Sequence, residues 1–349
     1  MARSDLSARQ SYRNLRRVTA LALLSALVAP TMAFAWGHSG HRMIGELAMQ
    51  SLPAELPPFL RKAEAARQVA EVAREPDRAK GASEPYDSDA NAAHHVNVGD
   101  DLKIVRGPSL AALPANREAY DAALRALGTN QYRVGYLPYA IIDSWQQVVM
   151  DFAYWRADVA GARYAKTPAE RSWFLQDQWI REGLTIRDLG YLAHFVGDGS
   201  QPLHISVHSD GWGNYPNPQN FSATRGFRAL LDRTITRGPV MAKDVVVHVA
   251  PYRDCRCSIQ QRTSGYLSAS QREVAALFQV EKAGGFAANP AEGKIFVSNR
   301  LAAGVSELRD LIADAWRRSA DVSVGFPPIT VRDIESGMTN GFNALRGDD

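Results

Sequence analysis

One stretch of this chain constrains its fold more than any other. From Ala169 to Asp198 it reads AERSWFLQDQWIREGLTIRDLGYLAHFVGD, with apolar residues at three- and four-residue spacing and no proline. That period belongs to an α-helix buried along one face. Pro202 follows and cannot continue a helix, so the helix should end just before it. The same period recurs in GHRMIGELAMQSL, FLRKAEAARQVAEVAREP, NREAYDAALRALG, LPYAIIDSWQQVVMDFAYWRADVAGARYA and SNRLAAGVSELRDLIADAWRRSA. DVVVHVAPY is the one good strand candidate. The expected fold class is therefore all-α. A single domain spans 36–349, helical to about Ala320, with a poorly ordered tail from about residue 321. The long loop Ser206–Gly226 should be functional or mobile. Trp212, Tyr215 and Phe221 are aromatic residues within it, and an aromatic in a loop more often packs than binds a ligand.

The first 35 residues read as a secretory signal peptide. Arg13, Arg16 and Arg17 form a basic start, Val18 to Ala29 an apolar run, and Ala33-Phe34-Ala35 a small-x-small cleavage site. Cleavage there leaves Trp36 as the new N-terminus, in a periplasmic or secreted protein. The leader carries five Arg and one Asp, a net +4. The full chain is +3, so the remainder is about −1. No bulk charge argues for nucleic-acid binding, and any phosphate recognition must be local.

Cys255 and Cys257 are the only cysteines. Cysteines one residue apart rarely form a relaxed disulfide, so the expectation is two incidental loop thiols.

The chemistry concentrates in HFVGDGSQPLHIS. His194 and Asp198 lie one helical turn apart and can reach one metal ion, and His204 projects from beyond the proline break. Imidazole nitrogen and carboxylate oxygen suit Zn²⁺. Alone, a His and an Asp four apart are explained as readily by a core histidine beside a capping aspartate. Further ligand types stand elsewhere: His41 near the expected terminus, Asp77 at the end of a helix, and His94-His95. Helices can present several ligands to one shared interior. His38 reads as surface or supporting, and His248 as structural.

Taken together, Trp36-Gly37 with His41 five residues on, the distant Asp77, the His94 segment, H-x₃-D-x-x-Q-P-L-H and RLAAGVSEL resemble the S1/P1 nuclease family. That family belongs to the superfamily that also holds bacterial zinc-dependent phospholipase C. The resemblance covers nearly the whole chain after residue 35. It implies a cluster of two to three zinc ions. Asp77, His94, His194 and Asp198 resemble the ligands of one zinc, with His95 in the family's aromatic position. Trp36, through its α-amino nitrogen and carbonyl, and His41 resemble those of a second, with Asp198 bridging. A free amine must lose its proton to bind, which a signal-peptide cut before Trp36 makes possible.

His204 resembles the first ligand of the third zinc. There the chain departs from the family: GFRALLDRT offers Asp232 but places Arg228 where a His should stand, and Arg has no lone pair for a metal. Three readings stay open. The third zinc is lost and Arg228 offers its guanidinium to phosphate; His208 replaces the missing ligand; or the register shifts within the loop. Ser200 and Asn97 are further departures.

The resemblance implies an exported phosphodiesterase that cleaves single-stranded DNA or RNA by a zinc-bridged hydroxide, with Trp212, Tyr215 and Phe221 as candidates to stack on bases or, for a phospholipase, to meet a lipid surface. Asp198 positions the attack and Arg228 stabilises charge. Two alternatives are carried: an esterase of phospholipase C type acting on a lipid head group, and a non-catalytic zinc- or phosphate-binding member. A monomer with no stable protein partner is expected.

Overall fold

The computed structural model describes residues 36–349, apart from 224–225, 228–230, 232–239, 288–289 and 348–349. The all-α expectation holds: among these residues the one sheet is a two-stranded hairpin. The helices of nine residues or more are α1 (Gly37–Gln50), α2 (Ala63–Val72), α3 (Arg117–Ala126), α4 (Leu137–Tyr164), α5 (Pro168–Ser200), α6 (Ile259–Gln271), α7 (Val274–Lys282) and α8 (Pro290–Arg318). No helix among the described residues is long and apolar enough to cross a membrane.

The architecture rests on the α4–α5 hairpin. Residues 165–167 turn the chain, and Thr167 caps α5 by accepting the Glu170 N–H at 3.1 Å, with Pro168 at the first helical position. So short a link makes the two helices antiparallel neighbours. Trp155 donates to Glu182 at 3.2 Å and Arg181 to Asp151 at 3.1 Å, as that pairing requires. α1, α2 and α8 pack on α5. The core between them is Ile44, Val69, Leu189, Leu192, Val196, Leu301, Val305 and Leu308, all fully buried. Burying each such side chain contributes about 1.5–3 kcal/mol. Gly190 allows α2 to approach: a Cβ there would stand 2.4 Å from Val72 Cγ1.

Several expectations are corrected. DVVVHVAPY forms a short helix, Ala242–Val246, followed by irregular chain. Its valines point variously inward and outward, with Val245 buried and Val247 74% exposed, so no sheet face exists to hold them. His248 is exposed there rather than structural. Within the tail, residues 322–347 are built into the fold. Ser323–Val324 pairs antiparallel with Ile329–Thr330, and a helix follows at Val331–Glu335. Val324, Val331 and Ile334 bury against Ala153, Ala157 and Ala160 of α4. Arg156 locks the arrangement by donating to Glu335 Oε1 (2.8 Å), Ser319 Oγ (2.9 Å) and the Trp316 carbonyl (3.1 Å). These contacts are too sparse along the chain to register as a period.

Cys255 and Cys257 are joined by a disulfide. Arg256 between them has φ +49°, and this left-handed turn brings the two Cα atoms to 5.2 Å, within the ordinary disulfide range. The long loop is packed upon itself. Trp212 (7% exposed) and Phe221 (4%) are buried, so neither is a base-stacking platform, while Tyr215 is 45% exposed. Asn217 accepts the Phe221 N–H and donates to the Phe221 carbonyl, both at 2.8 Å, which closes the loop.

Candidate metal centre

The last turn of α5 delivers His194 and Asp198 to one face, and both are fully buried. Burial alone would push the Asp198 carboxyl up. The neighbouring His204 and His194 charges, with hydrogen bonds from His194 and His94, outweigh that and hold it well below the usual range. The two oxygens of Asp198 face different neighbours. Oδ2 lies 2.9 Å from His94 Nδ1 and 3.3 Å from His194 Nε2. Oδ1 lies 3.5 Å from His41 Nε2 and 3.6 Å from His204 Nδ1.

Each remaining group arrives from its own element. His41 sits on α1 against Gly197, where a Cβ would stand 2.7 Å from His41 Nδ1, so only glycine allows this approach. His41 stacks on His194 at 4.0 Å between ring centroids. Burial, then the His194 charge, pushes its pKa down to about 3, so it stays neutral with a lone pair to offer. Asp77 lies on a 3₁₀ turn, Pro76–Ala79, beyond the end of α2 rather than on that helix. Its Oδ1 is 3.8 Å from His194 Nε2 and 3.9 Å from His94 Nδ1. Burial raises the Asp77 carboxyl, but the His194 and Lys80 charges bring it below its ordinary value.

Of the two adjacent histidines, His94 enters the cluster. His95 turns onto extended backbone and is only partly buried. Its carbonyl packs against Gly135, where a Cβ would stand 2.0 Å away. Burial lowers the His94 pKa.

Backbone carbonyls fix the tautomers. His194 Nδ1 donates to the Ala73 carbonyl at 2.7 Å, so in the neutral ring Nε2 is the lone-pair nitrogen facing Asp77 and Asp198. His204 Nδ1 donates to the His94 carbonyl in the same way.

This set fits a metal ion. Within each of two triads, His41–His194–Asp198 and Asp77–His94–His194, the potential ligand atoms lie within 4.8 Å of one another. Zinc–nitrogen bonds of ~2.0–2.1 Å in a tetrahedron set neighbouring ligand atoms ~3.3 Å apart. His194 Nε2 lies 3.3 Å from Asp198 Oδ2 and His41 Nε2 3.5 Å from Asp198 Oδ1, near that spacing, while Asp77 Oδ1 stands wider, at 3.8 and 3.9 Å from His194 and His94. Both His41 ring nitrogens, Asp77 Oδ2 and Asp198 Oδ1 are buried without a hydrogen-bond partner. Buried polar atoms are seldom left so, and a bound cation would satisfy them.

Compared with models of known protein families and with curated proteins, the chain matches none.

Trp36 is fully buried. Its indole Nε1 donates to the Gly197 carbonyl and to Ser200 Oγ, both at 2.8 Å, and so pins the start of α1 beside Asp198. Its carbonyl accepts the Gly40 N–H at 3.3 Å. Ser200 in turn donates to the Gly197 carbonyl at 2.8 Å. Arg228 and Asp232 lie outside the described residues. His208 is not brought to the cluster: it donates from Nδ1 to the Trp212 carbonyl (2.9 Å), pairs with Asp100 through Nε2 (3.2 Å) and stacks on Trp212. Asn97 donates to the Arg133 carbonyl at 3.4 Å.

Two residues of the site escaped the sequence reading. Lys80 places its ammonium 2.5 Å from Asp77 Oδ1, three residues on in the same turn. The only signal was that spacing. Arg300, within RLAAGVSEL, is buried and donates from Nε to the Ser200 carbonyl (2.9 Å) and from Nη2 to Ser270 Oγ (2.7 Å). It caps the C-terminal end of α5 just past the ligands.

Proposed function

We propose that the chain is an exported zinc-dependent phosphodiesterase of S1/P1 nuclease type that hydrolyses single-stranded nucleic acid. The observation that supports this reading is the pair of buried His/Asp triads sharing His194, with potential ligand atoms within 4.8 Å of one another and several left unpaired. Asp77, His94, His194 and Asp198 would hold one ion; Trp36, His41 and Asp198 another; His204 would serve a third. With its histidines neutral, the pocket sets two buried carboxylates against one lysine ammonium and so favours a cation. Bound zinc supplies Lewis acidity, which acidifies water near neutral pH and neutralises phosphate charge.

The chain's own residues do the rest. Asp198 faces both groups of histidines, so it would hold the metal centre together from both oxygens and help to orient an attacking water there. Lys80 is 10% exposed at its side chain, more open than Asp77 or His94, and would meet an anionic phosphate oxygen at the edge of the cluster. The carbonyls of Ala73 and His94 hold His194 and His204 in the required tautomers, so no reorientation is needed as substrate binds. Packing keeps bulk water out, which strengthens each of these interactions.

The test is zinc per chain by elemental mass spectrometry, on protein whose N-terminus is verified as Trp36, alongside hydrolysis of denatured DNA and of phospholipid vesicles. Two or three zincs with cleavage of DNA are expected. Zero or one zinc sinks the cluster, and hydrolysis of vesicles alone moves the substrate to a lipid head group.

A further inference from the structure

We propose that the Cys255–Cys257 pair is a reversible thiol–disulfide exchange site that accepts cysteine thiols of polypeptides. A cross-link over so short a loop removes very little chain entropy, so stability is a poor reason for it. The bridge, with the Arg256 N–H donating to Asp254 Oδ1 at 2.9 Å, holds Arg256 at φ +49°, a left-handed conformation that side-chain-bearing residues avoid. Opening the bridge removes the covalent part of that restraint, and strained, exposed disulfides are the readily reduced ones. Cys257 is exposed and Cys255 half-buried, so an incoming thiolate meets Cys257 first.

The surroundings suit the exchange. Ser258 caps α6: its Oγ accepts the Gln261 N–H at 3.2 Å, and Gln261 Oε1 accepts the Ser258 N–H at 3.0 Å. Cys257 therefore sits immediately before the positive end of a 13-residue helix, which favours a thiolate. The loop is anchored independently of the bridge. The Arg253 N–H donates to Asp310 Oδ2 at 3.1 Å, Tyr252 donates to Asp314 at 2.6 Å, and Arg262 Nη1 donates to the Arg253 carbonyl at 3.3 Å. Reduction therefore leaves the site in place.

Cys257 also stands between two cavities. One, of about 320 Å³, is lined by charged groups including Asp254, Arg262 and Arg317. The other, of about 620 Å³, is lined by Val149, Met150 and Val322. Trp145, Cys257, Ile259 and Arg318 line both. A polypeptide thiol brings flanking side chains that can fill such cavities; a small thiol does not.

The chemistry balances. A substrate thiolate attacks Cys257 Sγ, the Cys255–Cys257 bond breaks, and Cys255 leaves as a thiolate that takes up a proton. A second thiolate of the same substrate attacks the substrate sulfur of the mixed disulfide, and Cys257 leaves and is protonated. The substrate dithiol loses two electrons and two protons, and the cysteine pair gains both.

The experiment equilibrates the full chain in glutathione redox buffers, quenches with iodoacetamide and counts alkylated cysteines by mass, with circular dichroism recorded in parallel. Reversible reduction without loss of helix is expected, in buffers that leave structural disulfides intact. A fluorescent dithiol peptide should be oxidised ~10-fold faster than glutathione. Cys255→Ser should trap the disulfide form of that peptide, the Cys257 thiolate attacking one peptide sulfur while the other leaves as a thiolate and takes up a proton. Arg256→Gly relieves the left-handed backbone and should shift the equilibrium ~5-fold toward the disulfide. Reduction only on unfolding, or no mixed disulfide with Cys255→Ser, overturns the site. Equal rates with peptide and glutathione overturn the polypeptide assignment, and an unmoved equilibrium in Arg256→Gly overturns the strain argument. None of these readouts depends on phosphodiester hydrolysis.

Discussion

Carboxylates are buried at the end and in the middle of the α4–α5 hairpin, with opposite results. At the end of α5, Asp198 lies among four histidines and is held well below the usual carboxylate range. Further back, Asp158 of α4 is equally buried, but the stronger of its charged neighbours, Asp177, bears the same sign. Burial, then Asp177, pushes Asp158 up to about 9, with Arg181 opposing. Asp151 is raised to about 7 by burial and by Asp188, with Arg181 at 3.1 Å opposing. Burial acts alike on all three. Neighbouring charge decides which carboxylate stays ionised and able to bind a cation, and which must keep its proton.

The largest test of this contrast is Asp198→Asn. Loss of a group that only supports a ligand costs ~10–100-fold, so loss of the shared ligand should lower phosphodiesterase activity by at least ~100-fold. Zinc content should fall with it, read by hydrolysis of a bis-aryl phosphodiester and by elemental analysis. Retained zinc would show that Asp198 is merely buried like Asp158. Next comes removal of the metal by chelator. With zinc a thousandfold above its dissociation constant, the holoprotein should be more stable by ~4 kcal/mol. Urea denaturation with and without chelator measures this, and equal midpoints would remove the metal from the fold's stability.

A smaller effect, of opposite sign, belongs to the acid seam. A carboxyl whose folded pKa is raised contributes its stability in full below its unfolded value of 3.8, and loses it as pH rises toward 9. Asp158→Asn should therefore stabilise the protein by ~2 kcal/mol at pH 9 and by almost nothing at pH 4. Urea denaturation at both pH values checks the slope, and a pH-independent change would mean that Asp158 does not titrate with folding. The smallest effect is at Ser200→Ala, which removes one of the two acceptors of the Trp36 indole. A loss of ~1 kcal/mol is expected in thermal unfolding, with a modest drop in zinc affinity because the start of α1 is less firmly held.

How much was legible varies with the range of the interaction. Helices α1, α4 and α5 announce themselves through a period repeated over many turns, and His194 and Asp198 share a face by helix geometry alone. The entry of His94 rather than His95 agrees with the motif, but its cause is the packing of the His95 carbonyl against Gly135. Lys80 was missed because a lysine three residues after an aspartate normally marks a solvated turn. Which aromatics of the long loop pack and which stay open could not be read from loop composition, because exposure is set by what the loop folds against. Trp212 and Phe221 cover Phe278 of α7.

By itself, the sequence determined the helical class, the break after α5 and the types of ligand atom available, since these depend on neighbours a few residues apart. Tertiary structure alone decided the rest. It brought α1, the Asp77 turn and the His94 segment to the end of α5. It ordered the chain after Ala320 on α4 and closed Cys255 onto Cys257 through a left-handed arginine. It also kept one buried aspartate charged and another protonated. Each of those outcomes depends on groups far apart in the chain, or on a backbone conformation that residue type disfavours, and no local pattern records either.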